Sequence, residues 1–232
     1  MATDKRYKMK TEETKMKTEE AKYGVISIFP TPVYMSNDIK KITKRESDFV
    51  EKCKSKTHRD QGNTTTLDSY ILQHDVFRDL KNIIEQHLNT YLKEVICPVE
   101  KGIKIYITQS WINYTNINEF HHEHAHDNSF LSGVFYLKAN RDVDGIHFKK
   151  PPSGGILSLT PKKTTVYNST DWGFKVSEGT LLIFPSKVHH YVALKKEGEE
   201  RISLSFNTFI KGAIGDANRK TQLTLLGQPV LN

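Results

Sequence analysis

His121-His-Glu-His-Ala-His126 places four histidines within six residues, and the reading of this stretch decides the fold. A further pair, His189-His190, lies about 65 residues downstream, so six of the chain's ten histidines fall in two short segments. In an extended backbone alternate side chains share a face, which sends His122, His124 and His126 one way and His121 and Glu123 the other. Two imidazoles at i and i+2 on a strand, joined by a third ligand from a distant strand, fill three corners of an octahedron and leave the others open. A closed structural zinc site would need four ligands, usually with cysteine. The two cysteines here, Cys53 and Cys97, stand in unrelated contexts and offer neither such a site nor a disulfide framework. Taken alone, the cluster also fits an exposed His-rich loop that picks up metal adventitiously.

The segments on either side add a second function. Asn113 precedes His124 by eleven residues in Trp111-Ile-Asn-Tyr114, and Arg201 follows His190 by eleven in Arg201-Ile-Ser-Leu-Ser-Phe-Asn207. An arginine in a strand can hold a carboxylate bidentately, and the hydroxyl at i+2, Ser203, lies on the same face to complete a clamp. A surface ion pair with Glu199-Glu200 is the alternative for Arg201. The whole ordered set, from Asn113 through the histidines to Arg201-Ile-Ser203, is the layout of a mononuclear non-haem iron site that also binds a dicarboxylate.

Around this core the chain changes character at Pro98. Before it, a strand is expected at Gly24–Phe29, broken by Pro30-Thr-Pro32. A first helix is expected after Asn37 or Asp38, with Ile39, Ile42, Phe49, Val50 and Cys53 on one stripe, then a polar loop over 54–66. A second helix carries Val76, Leu80, Ile83, Ile84, Leu88, Tyr91, Leu92 and Val95, with His87 on the same stripe as a packing histidine. After Pro98 come short β-rich runs at 103–114, 130–138, 145–148, 155–160, 180–185, 188–194 and 202–210. These predict a mostly β sandwich or barrel with two helices packed on one side.

At 232 residues with 37% hydrophobic residues the chain supports one buried core. Its apolar runs fall far short of the roughly 20 residues of a membrane helix, and the charged N-terminus does not resemble a signal peptide. A soluble cytoplasmic protein in a reducing compartment is expected. The net charge of +7 comes mostly from dispersed lysine pairs such as Lys40-Lys41 and Lys195-Lys196, which read as solvated surface; no nucleic-acid motif accompanies them. Lys8-Met-Lys-Thr-Glu-Glu13 recurs as Lys15-Met-Lys-Thr-Glu-Glu20, and one methionine per seven residues cannot hold a coiled-coil seam. Residues 1–22 are therefore expected to form a charged, disordered or helical tail, 23–212 a single domain, and 213–232 an extension.

The chain resembles the iron(II)/2-oxoglutarate-dependent oxygenases, and within them a little-characterised family with bacterial and phage members. The resemblance rests on Ile28-Phe-Pro-Thr-Pro-Val33, Ser110-Trp-Ile-Asn113, His124-Ala-His126 followed by Leu131-Ser-Gly-Val-Phe-Tyr136, Gly179-Thr-Leu-Leu-Ile-Phe-Pro-Ser186, His190, and Arg201–Asn207. It implies a double-stranded β-helix (jelly roll) in which His124, His126 and His190 ligate Fe(II). Arg201 and Ser203 would hold the far carboxylate of 2-oxoglutarate, with Asn113 contacting the cosubstrate. His189 would be a neighbour rather than a ligand. His126 stands where most of the superfamily has Asp or Glu, which leaves the site one unit more positive; a filled position also argues against halogenation. The His121-His-Glu123 register remains as a second way to obtain a histidine and a carboxylate.

The activity this implies is a dioxygenase that consumes O2 and 2-oxoglutarate, releases succinate and CO2, and hydroxylates a second substrate. Two alternatives stand beside it: a three-histidine cupin-like dioxygenase that uses no 2-oxoglutarate, and a silent metal-binding module. His147, Lys149-Lys150, Lys162-Lys163, Tyr167 and Trp172, on expected rim loops, could receive a peptide, a nucleotide or a small metabolite. No apolar stripe separate from the core specifies an oligomer.

Overall fold

The structure is a computed structural model that describes residues 24–150 and 159–227. In chain order the elements are β1 (Tyr34–Ser36), α1 (Lys44–Cys53), β2 (Thr57–Arg59), β3 (Thr64–Thr66), α2 (Arg78–Tyr91), β4 (Lys104–Thr115), β5 (His121–His124), β6 (Leu131–Lys138), β7 (Gly145–Lys149), β8 (Asp171–Lys175), β9 (Leu181–Pro185), β10 (His190–Val192), β11 (Arg201–Ile214) and β12 (Leu223–Leu225). The strands form two antiparallel sheets. The larger runs β1-β9-β6-β11-β4-β3-β2, with β12 paired to β11, and the smaller runs β5-β10-β7-β8. This is the double-stranded β-helix architecture. Residues from Thr31 onward cluster as one unit.

Alternation along the larger sheet separates two interiors. Ile112, Tyr114, Leu131, Phe135, Leu137, Leu181, Ile183, Ile202, Leu204 and Phe206 face a core completed by α2 through Leu80, Ile84, Leu88 and Tyr91. Val134, Tyr136, Leu182 and Phe184 leave on the opposite face and meet Ile146, Phe148 and Val176 from the smaller sheet. Trp111, Asn113, Arg201, Ser203 and Ser205 share that second face and line a cavity between the sheets. Helices therefore back the larger sheet while its other face carries the polar groups.

Several element expectations are corrected. Gly24–Phe29 forms no strand and leaves Ile26 and Phe29 exposed. The first strand comes after Pro30 and Pro32, whose missing N–H groups suit a ladder poorly, where Tyr34–Ser36 pairs with β9. The first helix starts six residues later than Asp38. Asp38 has φ 54°, and Ile39 N–H donates to Gly179 O (3.2 Å) in a non-helical segment. Helix formation waits for Thr43, whose hydroxyl caps the Glu46 N–H while the Glu46 carboxylate accepts from the Thr43 N–H, a reciprocal capping box.

The supposed polar loop over 54–66 contains the β2–β3 hairpin. Two of its threonines can be buried because their hydroxyls are satisfied: Thr65 Oγ1 donates to Ile112 O (3.2 Å) and Thr66 Oγ1 accepts from Ile112 N–H (3.1 Å). α2 ends in a wide turn over Leu92–Ile96, closed by Cys97 N–H donating to Leu92 O (2.9 Å). His87 receives or donates a 2.7 Å hydrogen bond at Tyr34 Oη. The short strand β8 was not expected, and it carries Trp172, while His147 and Lys149 sit on β7 rather than on rim loops. The N-terminal repeat and most of the expected 155–160 strand lie outside the described residues. Among the described residues, no helix is long and apolar enough to cross a membrane.

Candidate metal centre

β5 and β10 carry the histidines, and a register shift between them determines which way each one faces. His190 pairs with His124, and Val192 pairs with His121, so two steps on β10 are matched by three on β5. The additional residue is a β-bulge, which breaks strict alternation and turns both ends of the segment to the same side. His121 is thus corrected from the outer face to the cavity, stacked on His124 with ring centroids 4.6 Å apart. Glu123 does stay outside, where it meets His189 Nδ1 at 3.2 Å. The His121/Glu123 register is therefore not assembled.

His124, His126 and His190 converge, with one ligand nitrogen from each lying within 4.8 Å of the others. His124 ends β5, His190 opens β10, and His126 lies just beyond β5, its N–H anchored on Ser186 O (2.9 Å). The Nδ1 atoms of His124 and His190 sit 2.8 and 3.0 Å from the carbonyls of His122 and Val188. A carbonyl can only accept, so each Nδ1 carries the proton and each Nε2 keeps its lone pair for a ligand. Burial pushes His190 down to about 3 and His126 down to about 4, and it lowers His124 as well, so all three are neutral near pH 7. Three neutral imidazoles, two of them with their lone pairs oriented, are a donor set that suits iron(II).

The opposite part of the cavity carries a buried cation. Arg201 pairs in register with Thr115, and Ser203 with Asn113 on one side and Tyr136 on the other. The Arg201 side chain is buried, donates to Thr115 Oγ1 (2.9 Å), and lies 4.0 Å from the Asp144 carboxylate. Asp144 is itself held by Lys195 Nζ at 2.8 Å, both side chains being 2% exposed. Two cations and one anion leave a net charge of +1 in a water-poor region, which favours a carboxylate guest. The proposed surface pairing of Arg201 with Glu199-Glu200 is not formed: Glu199 pairs with Lys138 and Glu200 with Lys54. Asn113 Nδ2 donates to Ser205 Oγ (2.9 Å), and its Oδ1 is 3.5 Å from Asn63 Nδ2, so the amide reaches the cavity from a braced position.

Sequence reading did not single out Tyr136, Ser205, Tyr191 or Asp144, and it took Lys195 for solvated surface, whereas Lys195 is buried because it pairs with the buried Asp144 carboxylate. Tyr136 is a fully buried cavity-lining tyrosine, pushed up to about 12 chiefly by burial, so it stays a protonated donor. It lies in the Leu131-Ser-Gly-Val-Phe-Tyr136 run, where period-two patterning from Ser132 could have placed it inward. Tyr191 also lines the cavity, with its hydroxyl donating to Asp171 (2.7 Å) and its ring stacked on His147 (4.9 Å). His147 Nδ1 in turn lies 2.9 Å from Asp171.

Residues 109–207 match the family described as "Putative 2OG-Fe(II) oxygenase". The matched segment resembles the 2OG-Fe(II) oxygenases. It spans the strands that carry Asn113, the three histidines and Arg201. Solved structures with the same fold include HygX from Streptomyces hygroscopicus with nickel, 2-oxoglutarate and hygromycin B bound (TM-score 0.53, 12% identity, 77% of this chain and 82% of that one). A second is the non-heme alpha ketoglutarate dependent epimerase SnoN from nogalamycin biosynthesis (TM-score 0.55, 10% identity, 77% and 78%). A third is an oxidoreductase of the 2OG-Fe(II) oxygenase family from Burkholderia pseudomallei (TM-score 0.51, 12% identity, 76% and 83%). At these identities the likeness is one of fold. None of the curated proteins matches the chain in sequence.

Proposed function

We propose that the protein is an iron(II)- and 2-oxoglutarate-dependent dioxygenase acting on a second organic substrate. One observation carries this reading: a single inter-sheet cavity is lined by His124, His126 and His190 and also by Arg201 and Ser203. His124, His126 and His190 would hold the metal through one nitrogen each, with the Nδ1–H bonds of His124 and His190 fixing their rings. Iron(II) and 2-oxoglutarate together supply oxidative decarboxylation to succinate and CO2, coupled to transfer of the other oxygen atom of O2 to a C–H bond.

The protein's share is binding and orientation. Arg201 and Ser203 would hold the remote carboxylate, with the Tyr136 hydroxyl available as a neutral donor beside them. Asn113 would contact the cosubstrate from β4. Phe184, whose ring centroid lies 4.7 Å from that of His190, and Trp111, 5.9 Å from His126, give the centre apolar walls that limit water. Tyr191, His147 and Lys149 form a polar rim suited to orienting a substrate that carries hydrogen-bonding groups.

The test is an anaerobic titration of Fe(II)-loaded protein with 2-oxoglutarate, following the visible charge-transfer band of the chelate. A saturable band that weakens in Arg201→Ala, with succinate formation abolished in His190→Ala, is the expected result. Unchanged 2-oxoglutarate turnover in His190→Ala would refute the assignment. The imidazole at His126, where the superfamily commonly has a carboxylate, favours one second reading: a three-histidine dioxygenase in which Arg201 holds a substrate carboxylate. Substrate-dependent O2 uptake without 2-oxoglutarate would establish that alternative.

A further inference from the structure

The three histidines of the metal centre are not held alike. Nδ1 of His124 and Nδ1 of His190 are each committed to a carbonyl, whereas among the described residues the His126 ring has no hydrogen-bond partner. It is flanked instead by the rings of Trp111, His124 and His190, with centroids 5.9, 4.9 and 5.2 Å away. Ring contacts are less directional than hydrogen bonds, so the placement of His126 leans on its main chain.

That main chain leaves β5 and turns at Asp127 and Asn128, the latter with φ 53°. On the outside Asp127 pairs with Lys187, but both side chains are exposed and such a pair contributes little. On the inside the turn is held by hydroxyls. The His126 N–H donates to Ser186 O (2.9 Å). The Ser186 hydroxyl donates to Ser129 Oγ (2.7 Å) and lies 2.9 Å from Ser132 Oγ, which contacts Asn207 Oδ1 at 2.8 Å. Ser129 Oγ also donates to Leu131 O (3.1 Å) and accepts from Thr208 N–H (3.3 Å).

Ser132, Ser186 and Asn207 are buried, so the chain of contacts runs through the interior and ties the β5–β6 turn to β6, to the end of β9 and to β11. Ser186 also belongs to the turn between β9 and β10, closed by Val188 N–H donating to Pro185 O (2.9 Å), and the Val188 carbonyl is the one that fixes His190. One residue therefore stands between two of the three histidines. A satisfied buried network of this kind adds less to stability than to the choice of a single arrangement.

We propose that Ser186, locked by Ser129, Ser132 and Asn207, is a positioning residue of the metal centre that sets the His126 imidazole. The proposal rests on the reading of His126 as a metal ligand and extends it to groups that touch neither metal nor substrate. Without the Ser186 hydroxyl the turn gains freedom, His126 presents its nitrogen in more than one orientation, and the metal is held less tightly.

The experiment loads the chelator-stripped full chain with Co2+, whose visible absorption reports ligand geometry, and reads affinity by competition with a chromophoric chelator. Ser186→Ala should weaken Co2+ binding about tenfold or more and alter the visible band. Ser132→Ala, which removes one link of the chain, should move both readouts the same way by less. Thr43→Ala, which destabilises through the cap of α1, should leave both unchanged; an equal effect there would reduce Ser186 to general stability and overturn the proposal. Wild-type affinity and spectrum in Ser186→Ala, with binding lost in His126→Ala, would overturn the positioning role and leave the ligand assignment standing. Undiminished binding in His126→Ala would overturn both. Should Ser186→Ala fail to fold, as judged by its far-UV circular dichroism, Ser132→Ala decides by the same two readouts.

Discussion

Arg201 is the residue on which the cosubstrate reading depends. Its guanidinium is buried, and desolvation lowers its pKa, while Tyr136 and Asp144 favour the charged form. Arg201→Ala removes one partner of a buried charge-assisted contact, which typically costs about 2–5 kcal/mol. The Kd for 2-oxoglutarate should therefore rise by at least about 30-fold, read from the anaerobic titration. Arg201→Lys should recover part of this loss, because it keeps the charge but not the fork. The buried histidines predict a pH effect. His126 is held near 4 and His190 near 3 in the fold, against about 6.5 in the unfolded chain. Between those values the unfolded chain binds protons that the folded one refuses, so stability falls as pH drops from about 6.5 toward 3 and is unaffected by these groups above it. Metal-free protein should melt at a lower temperature at pH 5 than at pH 7, with a smaller difference in His126→Asn. Equal melting temperatures at the two pH values would contradict the burial of these rings.

At the scale of elements, β5 shows how one inserted residue redirects a site. Period-two alternation placed His121 outside, and the bulge against β10 brought it inside beside His124. β6 shows the opposite constraint, a position where any side chain is excluded. A Cβ on Gly133 would lie 2.2 Å from Phe206 Cζ and 2.8 Å from Leu182 O, because the Phe206 ring covers its cross-strand neighbour. Gly133→Ala should destabilise by about 1–3 kcal/mol or more through overpacking, lowering the melting temperature by several degrees without altering the ligands. Thr43→Ala removes the capping hydroxyl of α1 and should cost about 1 kcal/mol, measured by chemical denaturation. No change in the denaturation midpoint would mean the capping box contributes nothing.

The whole molecule joins its two sheets through a buried charge network. Lys195 follows β10, Asp144 precedes β7, and Arg201 opens β11, so the smaller sheet's connections neutralise part of the larger sheet's cation. Removing Lys195 leaves Asp144 buried with the Asn140 N–H (2.9 Å) and a distant Arg201. Lys195→Met should destabilise the fold by about 3–5 kcal/mol. It should also raise the Kd for 2-oxoglutarate as Arg201 is drawn toward Asp144. Retention of wild-type affinity in a folded Lys195→Met protein would show that the network and the clamp are independent. Metal with 2-oxoglutarate at about 100 times its Kd should in turn raise stability by about 2.7 kcal/mol, readable as a thermal shift.

The sequence alone supplied the candidate groups and their order: three histidines in two segments, an arginine with a serine at i+2, and an asparagine on the preceding β-run. Side-chain alternation and hydrophobic runs are local, and they also sufficed for α2, β4, β6, β9 and β11. Packing decided what local signals do not encode. The polar β2–β3 hairpin exists because β4 offers backbone partners to its threonines. α1 starts at the one residue that caps it, and His121 faces inward because β10 is one residue shorter than its partner. Tyr136, Asp144 and Lys195 joined the site only when the sheets closed, since burial creates both the cost of their polarity and the field that a carboxylate would satisfy.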